Sequence, residues 1–122
     1  MYLCGGIAGF IGVALGALGA HGLKSHLSAQ MLAVFETGVR YQMYHAFALF
    51  AVAWAWSRWQ HRAFAIAGWL FAAGIILFSG SLYLLTLLDS KWLGTVTPLG
   101  GFAFLAGWTY FVWGAWNAGR KR

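Results

Sequence analysis

The segment from Ala63 to Leu88 reads AFAIAGWLFAAGIILFSGSLYLLTLL. It contains no charged residue and is the longest of four apolar runs in the chain. The hydrocarbon core of a bilayer, about 30 Å thick, is crossed by roughly 20 helical residues. This run exceeds that length, so it is expected to tilt or to extend past the core. Lipid offers no partner for bare backbone N–H and C=O groups, so a helix is the expected form.

Three further runs have the same character: Leu3 to Ala20, Val39 to Ser57 and Pro98 to Asn117. Pro98, the single proline, suits the first turn of a helix, where its missing N–H is not needed. The fold class read from the sequence is therefore all-α: a polytopic membrane protein, residues 1–122 forming one domain, with a four-transmembrane-helix bundle. The apolar run near the N-terminus is expected to be a retained helix, not a cleaved secretory signal, because no basic residue precedes it and three other runs follow.

Composition agrees. Apolar residues make up 61% of the 122 and charged residues 8%, against about a quarter charged in ordinary soluble domains. The formal charge of +6 raises the question of nucleic acid. Its basic residues, however, sit at the ends of the apolar runs, as topology signals and headgroup contacts do, and nucleic acid is not an expected partner. Cys4 is alone, which excludes an intrachain disulfide or a cysteine-based zinc site.

Between the first two runs, from about His21 to Thr37, Leu23, Leu27, Met31, Leu32, Val34 and Phe35 recur at helical spacing among polar residues. The pattern is amphipathic. It predicts a short interfacial helix with Ser28 as N-cap, the chain turning inward near Gly38. The alternative is one long second helix beginning at Ser28.

Basic residues suggest the orientation. Arg58, Arg62, Arg120, Lys121 and Arg122 gather at one end, and Lys24, Arg40 and Lys91 at the other with both acids, Glu36 and Asp89. This bias places both termini and the Arg58–Arg62 loop in the cytoplasm. Trp54, Trp56, Trp59, Trp113 and Trp116 mark the same boundary.

Gly5, Gly9, Gly12, Gly16 and Gly19 form one stripe on the first helix, and Gly100, Gly107 and Gly114 repeat every seven residues on the last. Small residues allow the close backbone approach on which helix association in lipid depends. The stripes are expected to pack within the monomer; a homo-oligomer or another membrane protein is the other possible partner, alongside the bilayer itself.

The polar residues concentrate at the start of the second run. Glu36, Arg40 and Tyr44 stack at four-residue spacing, and Tyr41 and His45 form a second such pair. The Glu36-to-Arg40 order favours a helical ion pair. His21, Ser79, Ser81, Tyr83 and Thr97 lie at the same membrane face and could join them. Two readings compete. One is a structural lock with Arg40 neutralised and its stem reaching the interface. The other is a site for an ion, proton or headgroup with His45 titrating. The lock is favoured. His21 and His26 are five apart, off the spacing of helical metal ligands, and no metal or cofactor is expected. No nucleophile–base pair or phosphate loop is present, and the chain is not expected to be an enzyme.

Taken together, Gly19-Ala20-His21-Gly22-Leu23-Lys24, Thr37-Gly38-Val39 with Tyr41-Gln42 and Tyr44-His45, Phe78-Ser79-Gly80-Ser81-Leu82-Tyr83, Thr97-Pro98-Leu99-Gly100-Gly101 and Gly107-Trp108 resemble the YgdD-like family of small bacterial inner-membrane proteins. The resemblance covers essentially the whole chain. It implies a multi-pass inner-membrane protein with about four spans, and brings no activity, substrate or catalytic residue. The functional expectation is a small helical-bundle protein that interacts with other membrane components or lipid. The alternative is a small-solute, ion or proton transporter, or a lipid-binding protein, using the polar cluster.

Overall fold

The computed structural model describes residues 1–120, so Lys121 and Arg122, counted above for orientation, lie outside the described residues. The described chain is helical, with no strand. Helix α1 (Tyr2–Ala17) continues into a π-helical turn, Leu18–Leu23. Helix α2 spans Ala29–Trp59. Helix α3 (Arg62–Gly74) runs through a second π-helical turn, Ile75–Ser79, into α4 (Gly80–Leu88), so that the three form one rod. A 3₁₀ turn, Lys91–Thr95, leads to α5 (Thr97–Arg120). The rods Tyr2–Leu23 and Arg62–Leu88 are long and apolar enough to cross a membrane, with mean hydropathies of 1.9 and 2.0.

The separate interfacial helix expected around His21–Thr37 does not form. His21 belongs to the π-helical end of the first rod, and Ala29–Trp59 is continuous. Two physical reasons account for this. Ser28 accepts a hydrogen bond from the Met31 N–H at 3.1 Å and so starts the helix there. Phe35, Gly38, Gln42, His45, Leu49 and Val52 are all buried, an unbroken stripe at alternating three- and four-residue steps. Gly38 lies inside that stripe against Tyr83 and is no hinge. Replacing Ser28 with alanine is expected to cost about 1 kcal/mol, read as a lower melting temperature in detergent with helix content retained.

Both loops at the ends of α2–α3 and α4 use a left-handed residue to stop the helix: Gln60 (φ 48°) and Asp89 (φ 50°). His61 then caps α3, its Nδ1 accepting from the Ala63 N–H at 3.2 Å. The Arg58–Arg62 connection is thus a tight helical hairpin.

Packing is antiparallel between successive rods and is set by glycine against large side chains. On α5, Gly100, Gly107 and Gly114 face Phe78, Phe71 and Phe64, two seven-residue repeats running in opposite directions. Gly74 returns the pattern by receiving Phe104. A Cβ at Gly107 would lie 2.6 Å from the ring of Phe71, which is fully buried. Phe64, Phe71 and Phe104 join Leu49 and Val52 in the bundle core.

The stripe on α1 divides. Gly5, Gly12 and Gly19 are buried against α2, where they meet Phe50, Met43 and Phe35, and Gly16 touches Val39. Gly9 has no atom outside its own helix within 4 Å of its Cβ position. The expected single packing stripe is therefore a narrower seam of seven-residue steps, with Gly9 on its open flank.

Candidate polar site

The buried stripe of α2 carries two polar side chains among apolar ones, Gln42 and His45. Both bridge to other helices. Gln42 is 3% exposed; its Nε2–H donates to the Ala8 carbonyl of α1 at 2.8 Å. Its Oε1 accepts from the Tyr83 hydroxyl of α4 at 2.7 Å. One side chain thereby ties three rods together. Tyr83 also packs its ring on Phe35, with centroids 5.1 Å apart.

Ser79, at the end of the π-helical turn in the third rod, is fully buried, and its hydroxyl donates to the Gly38 carbonyl at 2.7 Å. Such turns displace a helix from its regular register, and here Gly38 has no side chain to keep the rods apart. The Gly80 N–H bonds back to the Ile75 carbonyl, the wider loop of a π turn.

His45 lies between α2 and α5. Its ring stacks on Phe104 with centroids 3.5 Å apart and planes 8° from parallel. The Trp108 Nε1–H donates to His45 Nε2 at 3.2 Å. That bond makes Nε2 the acceptor, so Nδ1 carries the proton and donates to the Tyr41 carbonyl at 2.8 Å. Both ring nitrogens are occupied by the fold. Near the end of the third rod, the hydroxyls of Ser81 and Thr97 share a 2.6 Å hydrogen bond, and Ser81 also donates to the Phe78 carbonyl, fastening the start of α5 to α4.

The residues singled out in the sequence therefore part company. Tyr83, Ser79, Ser81, Thr97 and His45 enter helix-to-helix bonds. Glu36, Arg40 and Tyr44 share the opposite side of α2 and are exposed, so they do not converge on His45. Tyr41 lies at the border, 38% exposed, with its ring against Phe78 at 4.7 Å. His21 is exposed on the first π-helical turn, away from this network. Gln42 and Trp108, which the sequence reading left out of the site, are central. Among the described residues no three His, Cys, Asp or Glu side chains gather as a metal ion would require.

Apolar exteriors, helical rods long enough to cross a bilayer, and buried polar side chains bonded within and between helices define a helical membrane protein. Its relatives are named as membrane proteins. The chain belongs to the family described as "Protein of unknown function (DUF423)", whose profile matches residues 15–101. It is 46% identical over 111 residues to the UPF0382 membrane protein YwdK of Bacillus subtilis (strain 168), covering 90% of each chain. It is 41% identical over 121 residues to the UPF0382 inner membrane protein YgdD of Escherichia coli (strain K12), covering 99% of this chain and 92% of the relative. The UPF0382 membrane protein SAB0533 of Staphylococcus aureus (strain bovine RF122 / ET3-1) is 44% identical over 110 residues, covering 90% and 89%. No solved structure matches the chain.

Proposed function

We propose that this chain is a four-span, non-catalytic protein of the bacterial inner membrane that works by association with other membrane components. In this reading Ala29–Trp59 and Thr97–Arg120 cross the bilayer beside the two more apolar rods. Both termini and the Arg58–Arg62 hairpin face the cytoplasm. The carrying observation is the bonding of the buried polar side chains. Gln42, Ser79, Tyr83 and His45 are each committed to a partner on a neighbouring helix. They hold rods in register, as a structural lock does, and transport through Glu36, Arg40 and His45 would need side chains that point apart to share one site.

Two measurements test this. With Cys4 replaced by alanine, His26→Cys should label from the outer side and Arg58→Cys from the cytoplasmic side; the reverse pattern, or labelling of both from one side, sinks the topology. Gentle extraction with crosslinking should recover a homo-oligomer or a defined membrane partner. A monodisperse monomer with nothing co-purifying would defeat the association reading, as would a proton or ion flux in liposomes that His45→Ala abolishes without unfolding the protein.

A further inference from the structure

One face of the bundle carries an uncovered groove. Helix α1 packs on α2 through Gly5, Gly12 and Gly19, and Met1, just before it, lies against Gly68 of the third rod. Between α1 and the Arg62–Leu88 rod, with α2 as its floor, runs a groove of about 530 Å³. Its walls are apolar, including Ile7 and Ile11 on one side, Leu49 below and Ile76 opposite. Gln42 lies at its floor and Tyr83 on the wall beside it, and no charged side chain lines it.

The polar pair limits what can fill the groove. A glutamine amide has two N–H donors. Gln42 gives one to Ala8, and among the described residues the other has no acceptor. The Tyr83 oxygen donates its proton to Gln42 and keeps its acceptor lone pairs. An N–H left without a partner away from water is costly, so a ligand bearing an acceptor is favoured there. The volume is that of a small-molecule site, about 300–1,000 Å³. A phosphate headgroup would require cations, and Gln42 lies 14 residues, roughly 21 Å, along α2 from its Ser28 cap. The occupant must be neutral there, and apolar beyond.

We propose that this groove binds a quinone-type lipid, its ring carbonyl accepting from the free Gln42 N–H and its apolar tail lying along Ile7, Ile11 and Ile76. The proposal rests on the four-span reading, because the groove must open into the bilayer.

The test uses the full chain in phosphatidylcholine nanodiscs with decylubiquinone as probe, and reads quenching of tryptophan fluorescence, Trp69 standing at the groove. Saturable quenching is expected, with Gln42→Leu weakening binding about tenfold, the equivalent of one hydrogen bond. Because Gln42→Leu also loosens the fold, Gly80→Leu is the second variant. Gly80 lines the groove, and a Cβ there meets nothing within 4 Å, so leucine fills the slot from a neutral position. It should abolish saturable binding with an unchanged melting temperature. Equal binding by Gly80→Leu, quenching that only rises linearly with probe, or equally good competition by decylbenzene, which has the tail without the carbonyls, would each overturn the proposal. Any of these with correct labelling of His26→Cys and Arg58→Cys would remove the quinone site and leave the four-span reading standing.

Discussion

Gly100→Ala should be the most damaging single methyl that can be added to this protein. A Cβ at Gly100 runs into the backbone N and Cα of Phe78, in the π-helical turn of the third rod. A flexible side chain could swing aside, whereas backbone held by its own helix cannot, so α5 must move away from α4. That would pull Gly107 and Gly114 off Phe71 and Phe64 and stretch the Ser81–Thr97 bond. Overpacking a fitted core costs about 1–3 kcal/mol, occasionally more, and the upper end, about 3 kcal/mol, is expected here. Thermal melting by circular dichroism in mild detergent should show a large drop in midpoint. Gly9→Ala is the control. It changes the same atom on a helix of similar length, with open space around it, and should be neutral or slightly stabilising, since alanine favours the helix by up to about 1 kcal/mol over glycine. Equal effects at the two positions would mean that the α3–α5 register is wrong.

The second large effect is expected at Gln42. Gln42→Leu is close in size, yet it removes the bonds to Ala8 and Tyr83 together and leaves the Tyr83 hydroxyl without its acceptor. The Ala8 carbonyl still accepts within α1, so most of the loss falls on the tyrosine. A partly buried hydroxyl left without an acceptor, away from water, costs about 1–3 kcal/mol. Hydrogen bonds between membrane helices are worth about 0.6 kcal/mol each on average and up to about 1.7. A destabilisation of about 2 kcal/mol follows. The double variant with Tyr83→Phe should recover part of it, because both ends of the bond are then gone, and a coupling of about 1 kcal/mol is expected from the cycle. Strictly additive losses would show that the two side chains do not interact in the folded protein. Glu36→Gln and Arg40→Gln, on the outer side of α2, should stay within about 0.5 kcal/mol.

The contrast between Gln42 and the Glu36–Arg40 pair shows what kind of signal was legible. Charges draw attention in an apolar sequence, and grouping Glu36, Arg40 and Tyr44 by their four-residue spacing was geometrically sound. The same spacing places them on the exposed side, where long polar side chains can reach the interface. A different periodicity held the better signal. Gln42 and His45 interrupt an otherwise apolar or small stripe that begins at Phe35 and ends at Val52. A polar residue on a buried stripe needs a partner, and that requirement can be read from sequence. The identity of the partners cannot, because Ala8, Tyr83 and Trp108 come near only when three rods assemble.

The glycines divide in the same way. The seven-residue repeat of Gly100, Gly107 and Gly114 was visible, and so in principle was the matching repeat of Phe64, Phe71 and Phe78. On α1, five glycines looked equivalent along the chain, yet only some face α2, and Gly9 faces open space. One helix has several sides, and nothing in its own sequence says how many will find neighbours.

The long run from Ala63 to Leu88, read with the three other apolar runs and the 8% charged residues of the whole chain, pointed from sequence alone to a helical membrane protein. Hydropathy and backbone hydrogen bonding are local properties that sum along a single segment, whatever surrounds it. Ser28 as a helix start and Pro98 in a first turn are local in the same sense. Only the tertiary structure decided that Ala29–Trp59 is unbroken, that glycine and phenylalanine repeats lock in opposite directions, and that Gln42 joins three rods beside a groove. Each of these depends on which residues of distant segments meet, and that is set by the fit of whole surfaces, helix against helix.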